Sequence, residues 1–164
     1  MAVAESDFTK LDFSAGLTRM AGPFTTSVNL RGQTSFGQPL FNSEQLGLDG
    51  EEALSSLSPG TYAVDEGATL RAELGRTVPI NGAPAIIASP YLFAAVGAGR
   101  SHNSTAVESG TTRAANIGTG VRMRLWRSSP RQSLALGLEV GHAWIDTQAT
   151  RQDSRVNFSL SWNF

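Results

Sequence analysis

Val156-Asn157-Phe158-Ser159-Leu160-Ser161-Trp162-Asn163-Phe164 alternates apolar and polar side chains without a slip. A β-strand sends successive side chains to opposite faces. One face therefore carries Val156, Phe158, Leu160, Trp162 and Phe164, and the other Asn157, Ser159, Ser161 and Asn163. A soluble antiparallel sheet packed on a core has the same period. Aromatic residues at the tip of such a strand suit a membrane-spanning β-barrel, where lipid meets one face and a polar lumen the other. The alternation predicts a barrel ahead of a soluble β-sandwich.

The pattern recurs upstream. Turn signals divide the chain into extended segments expected over 8–20, 25–37, 67–78, 86–100, 115–127 and 133–145, before the terminal strand. Leu70, Ala72 and Leu74 oppose Thr69, Arg71 and Glu73; Leu134, Leu136, Leu138 and Val140 oppose Gly137, Glu139 and Gly141. Pro90 lacks a ladder donor and predicts a bulge or an edge in its strand. Short turns at Gly22-Pro23, 81–84 and 128–131 alternate with longer connections at 38–66, 101–113 and 147–154. Membrane barrels show this asymmetry, with short periplasmic turns and longer surface loops. Strands of about 10–14 residues can cross a tilted bilayer path and exceed the globular mode of about 5–6. About seven strands would leave two unpaired edges, which hydrocarbon does not tolerate. The predicted fold class is all-β, an antiparallel portion of a transmembrane β-barrel.

Composition bounds the rest. With 164 residues, 40% hydrophobic and 16% charged, the chain is one domain's worth of ordered protein. It has no run of about 18 apolar residues, so no transmembrane helix is expected, and this leaves a barrel open. A net charge of −1 without a basic stripe gives no case for a nucleic-acid partner. The absence of cysteine removes disulfides and thiolate metal sites. His102 and His142 are isolated and predict no metal site. Gly97-x-Gly99 and Gly118-x-Gly120 lack the helix of a phosphate loop and read as lumenal or close-packing glycines. No catalytic constellation and no cofactor are expected. Residues 1–7 have neither a basic nor an apolar leader region, so the chain is expected to be a piece of a longer precursor.

Leu40-Phe41-Asn42-Ser43-Glu44-Gln45-Leu46-Gly47-Leu48-Asp49-Gly50, followed by Asp65-Glu66-Gly67-Ala68-Thr69-Leu70-Arg71-Ala72-Glu73-Leu74, resembles the outer-membrane transporters of two-partner secretion. These are the haemolysin secretion/activation proteins of the Omp85 superfamily. The resemblance runs through Phe164 and covers nearly the whole chain. It implies the carboxyl-terminal half of a barrel of about sixteen strands, without the periplasmic POTRA domains that capture an unfolded exoprotein. It also implies a bacterial outer-membrane location and threading of the exoprotein through the barrel without an energy source of its own. The implied partners are that secreted exoprotein, outer-membrane lipid and the barrel-assembly machinery.

In that family the long loop, here 38–66, folds into the lumen and bears Val-Arg-Gly-Tyr or Val-Arg-Gly-Phe, whose arginine pairs with a wall carboxylate. Aligned on Leu48, Asp49 and Gly50, the motif falls on Leu54, Ser55, Ser56 and Leu57, so Ser55 replaces the arginine. A serine cannot make that charge-assisted pair with a lumenal acid. Asp65 and Gly67 match the segment that opens the next strand, and also suit an ordinary turn. Arg31, Arg71, Glu73, Arg122, Arg124 and Glu139 are predicted to face the lumen, since charges facing lipid cost roughly 2–4 kcal/mol each at midplane. The alternative for them is the solvated face of a soluble sheet. Phe158, Leu160, Trp162 and Phe164 are the expected assembly signal. Other functions compatible with the residues are a small structural or adhesive outer-membrane barrel and a soluble β-sandwich binding module.

Overall fold

The computed structural model describes residues 8–80, 85–102, 110–126, 133–146 and 151–163. The described residues form strands and connections without a helix. The strands are β1 (Leu11–Ala21), β2 (Phe24–Thr34), β3 (Leu46–Gly47), β4 (Ala63–Val64), β5 (Glu66–Arg76), β6 (Val78–Ile80), β7 (Ala85–Arg100), β8 (Thr111–Trp126), β9 (Ser133–Asp146) and β10 (Arg151–Asn163). The main sheet runs β1-β2-β5-β7-β8-β9-β10, every neighbouring pair antiparallel, with β6 beside β7. β3 and β4 make a separate two-stranded ribbon inside the long β2–β5 connection.

Local chemistry sets these elements. Leu11 to Ala21 pair one-for-one with Thr34 to Phe24, leaving Gly22 and Pro23 as the whole turn. Gly22 takes φ 59°, a left-handed conformation that glycine adopts without a Cβ clash. Pro90 makes no bulge, and it stands at a local edge where the ladder on one side of β7 is interrupted. β7 pairs with β8 continuously across it, Pro90 opposite Val121. On the other side Gly75 pairs with Tyr91 and Val78 with Ala88, in one register. The missing donor of Pro90 falls in the gap between β5 and β6, where a ladder bond is dispensable. The terminal strand starts at Arg151, four residues earlier than the 147–154 connection allows, and β8 starts at Thr111 inside the expected 101–113 loop. The expected turns at 81–84 and 128–131 lie outside the described residues, as do 103–109 of the loop before β8.

The two faces of the sheet differ in kind. One carries Leu17, Leu30, Leu70, Leu74, Leu92, Val96, Ile117, Leu138, Val140, Val156, Phe158 and Leu160, matched across strands as Leu17↔Val28, Leu30↔Leu70↔Val96, and Leu138↔Phe158. This face is bare: Leu92 is 62% exposed, Phe158 68% and Trp162 71%. From Val156 to Trp162 the apolar row spans about 20 Å at the usual strand rise. Arg19, Arg76, Arg113 and Asp146 lie near the strand ends of this face. The other face carries Arg71, Glu73, Arg122 and Glu139 and is overlain by the chain's own connection 35–65. Leu46, Leu48, Leu54, Leu57 and Val64 from that connection pack with Ala95, Ala114, Ala143 and Ile145 of the sheet. Burying each leucine there contributes about 1.5–3 kcal/mol. The core of the molecule is thus the seam between a loop and a sheet.

Candidate functional site

Strand alternation on β5 puts Thr69, Arg71 and Glu73 on the covered face, and Leu70 and Leu74 on the bare one. β7 adds Tyr91 and Phe93, and β9 adds Glu139. Glycines make the space. A Cβ on Gly118 or Gly120 would run into the rings of Phe93 and Tyr91, so the two aromatics lie flat across β8. Arginines then lie on the rings: the Arg71 guanidinium sits 3.9 Å from the centre of Phe93, and that of Arg122 3.9 Å from the centre of Tyr91.

Arg71 is wholly withdrawn from solvent and its donors are spent in three directions. Nε donates to Glu73 Oε1 at 2.9 Å, and Nη2 to Glu139 Oε2 at 2.7 Å. Nη1 donates to Ser55 Oγ at 2.7 Å and to the Ala53 carbonyl at 3.4 Å. Arg122 grips Glu73 through both terminal nitrogens at 2.8 and 3.0 Å, and the Tyr91 hydroxyl donates to Glu139 Oε2 at 2.7 Å. Two arginines therefore balance two carboxylates in the cluster. Such balance is what lets charge stay buried, because an unpaired buried ion is costly.

Among the described residues Ser55 bonds to no acid, as expected, and instead takes part in a charge-assisted hydrogen bond of another kind. It accepts from a wall arginine in place of donating from a loop arginine. Arg71 of the sheet holds both Glu139 and the loop hydroxyl. Further wall donors hold the same segment. Asn157 Nδ2 donates to the Ser55 carbonyl at 2.9 Å, Arg155 Nη1 to the Leu57 carbonyl at 2.9 Å, and Asn116 Nδ2 to Ser56 Oγ at 3.3 Å. The segment also rests directly on glycines. A Cβ on Gly97 would come within 2.7 Å of Leu54 Cδ1, and one on Gly141 would collide with Ser56 Oγ.

The root of the loop is tied by Asp65, which is buried. Its carboxylate accepts from the Leu40 amide at 3.0 Å, the Gln45 amide side chain at 3.0 Å and the His102 amide at 2.6 Å. Gly67 packs under the β7 backbone, where a Cβ would approach the Ala98 carbonyl to 2.6 Å. Leu48 is fully buried, Asp49 accepts from the Gly60 amide at 3.3 Å, and Gly50 turns the chain at φ 127°. Ahead of β1, Lys10 bridges to Glu44 at 3.0 Å and Asp12 at 3.4 Å. The hydrogen bond to Glu44, aided by Asp12, holds the Lys10 ammonium above its ordinary range.

Of the residues expected to face a lumen, Arg71, Glu73, Arg122 and Glu139 converge in one cluster. Arg31 is exposed, and Arg124 stands apart from the cluster, 5.9 Å from the Trp126 ring. Phe158, Leu160 and Trp162 lie on the bare face, and Phe164 is outside the described residues. Sequence reasoning missed Tyr91, Phe93, Asn116, Arg155 and Asn157. A signal was present for Asn157 and Arg155, which share the polar face of the terminal strand with Ser159. No protein family, curated protein or solved structure matches the chain.

Proposed function

We propose that the chain is the carboxyl-terminal part of a bacterial outer-membrane β-barrel of the two-partner secretion type, through which an unfolded exoprotein passes. One observation carries this reading. The charged face of the sheet is covered by the chain's own connection while the apolar face is left bare, the reverse of what burial in water favours. Lipid against the bare face resolves the inversion, and the loop face becomes a lumen.

Sheet direction supports the same reading. Seven antiparallel neighbours leave β1 and β10 running the same way. Antiparallel closure then takes an odd number of further strands, giving the even total of single-chain bacterial barrels; about nine would reach sixteen. Segment 48–58 lying against wall charges fits a loop folded into such a lumen, latched by Arg71. Lipid, the assembly machinery reading the terminal strand, and the secreted polypeptide are the partners of this proposal.

The test is partitioning and conductance. The purified chain should enter zwitterionic detergent micelles, and the full-length protein that contains it should give discrete conductance steps in a planar bilayer. A compact monomer in plain buffer with no affinity for micelles would overturn the proposal.

A further inference from the structure

We infer that the covered face contains a docking rail for the main chain of an acidic, unfolded polypeptide, which segment 53–57 occupies in cis. The rail is the set of wall donors Arg71, Asn157 and Arg155. Their targets are the carbonyls of Ala53, Ser55 and Leu57, at alternate positions of the loop. Carbonyl oxygens occur in every residue, so donors aimed at them grip chain of any sequence. Loop side chains also bond this face through the Ser55, Ser56 and Ser58 hydroxyls, on Arg71, Asn116 and Asp153.

Charge adds selectivity. Segment 36–65 contains Glu44, Asp49, Glu51, Glu52 and Asp65 but neither lysine nor arginine. The covered face of β5 to β10 has the opposite bias: Arg71, Arg122, Arg124, Arg151 and Arg155 outnumber Glu73, Glu139 and Asp153. The loop acids flank segment 53–57, which is itself uncharged, so the connection as a whole is acidic beside a face that is net cationic. Beyond Ser55 and Leu57 a cleft of about 970 Å³ continues along the sheet past Arg122 and Arg124 to Trp126. That is the upper end of the range for binding clefts, about 300–1,000 Å³. Glu139, which borders it, is buried and has no donor to Oε1 among the described residues, so it offers an acceptor for a main-chain N–H. The loop would be a surrogate for the passenger, yielding the rail when a segment of like chemistry arrives.

The inference rests on the lumenal reading of this face, and its test is independent of pore formation. A fluorescein-labelled peptide of Glu, Ser and Gly, and its counterpart with Lys for Glu, are titrated by anisotropy. The protein is taken in micelles, or in buffer if it does not need them. In one variant a Gly-Ser linker replaces residues 49–57. That variant should bind the acidic peptide about tenfold more tightly than the intact chain does, and about tenfold more tightly than it binds the Lys peptide. Adding Arg155→Ala and Asn157→Ala should remove the gain. If the linker variant does not fold, Leu54→Ser with Leu57→Ser loosens the loop and leaves every wall donor in place. Equal affinity with and without the loop, or equal affinity for the two peptides, overturns the rail. Absence of conductance from the full-length protein with the peptide preference intact overturns only the secretion reading.

Discussion

Arg71 and Glu139 are 68 residues apart in sequence, yet Nη2 of one donates to Oε2 of the other at 2.7 Å, with the arginine fully buried. They stand on β5 and β9, with β7 and β8 between. Three inter-strand steps cover about 14 Å. The pair closes over that span because Phe93 lies flat on Gly118 and gives the guanidinium a surface to cross. The aromatic, the glycine and the two ions form one device.

Removing the arginine should therefore expose the weakness of the device. Arg71→Ala leaves Glu139 buried beside only a tyrosine donor, and should destabilise the protein by about 3–5 kcal/mol. Urea unfolding followed by tryptophan fluorescence measures it. The double variant Arg71→Met, Glu139→Leu should lose less than the single one, since no unpaired ion remains. If the double variant is the worse of the two, balance of charge is not what matters here. In the full-length protein in a bilayer, Arg71→Ala should also change the conductance, because the latch on Ser55 is gone; unchanged conductance would remove the lumenal role of Arg71.

The glycine seats under the loop make a second prediction. Gly141→Val should push Ser56 off the wall, and Gly97→Leu should evict Leu54. Either should free segment 48–58 while the strand ladder stays. A glutamyl endopeptidase reports this, since Glu44, Glu51 and Glu52 are its cleavage points in the loop. Faster cutting than in the parent, with unchanged far-ultraviolet circular dichroism, is the expected result. Protection equal to the parent's would show that the loop does not depend on these contacts.

Charge placed on the two faces of the terminal hairpin should behave oppositely. Leu138→Arg puts a cation at the middle of the bare face, opposite Phe158, and should cost about 2–4 kcal/mol of stability in a bilayer. Ser161→Arg, on the other face of β10, should cost under about 1 kcal/mol. The readout is the folded fraction in vesicles at graded urea. Equal tolerance of the two would argue against lipid contact.

Glu73 and Arg122 give a milder case. The Arg122 side chain is about half exposed, at 48%, so its bidentate pair is partly screened. Arg122→Ala should cost about 1 kcal/mol, and Arg122→Lys nearly as much because lysine loses the fork and the stack on Tyr91. A loss as large as that of Arg71→Ala would mean the two arginines act as one unit.

Period-two patterning made the strands legible, as well as the side to which each charge would turn. Arg71, Glu73, Arg122 and Glu139 could be assigned a common face from spacing alone, because a strand has only two faces. Pro90 could be read only as a bulge or an edge, because the effect of a missing donor depends on which neighbour lies beside it. That neighbour, the gap between β5 and β6, is set by pairing between segments. The arginine partner of Ser55 was not legible for a related reason. A motif position says which residue type is absent, and not that an arginine three strands from Glu139 can reach both partners.

The amino-acid order by itself determined the alternation, and with it an antiparallel all-β sheet with one apolar and one charged face. Only the tertiary structure decided which face the long connection covers, and which residues of seven strands meet there. Alternation is a property of each strand's own backbone, while the Arg71 latch depends on registers, glycine gaps and ring orientations fixed jointly by β5, β7, β8 and β9.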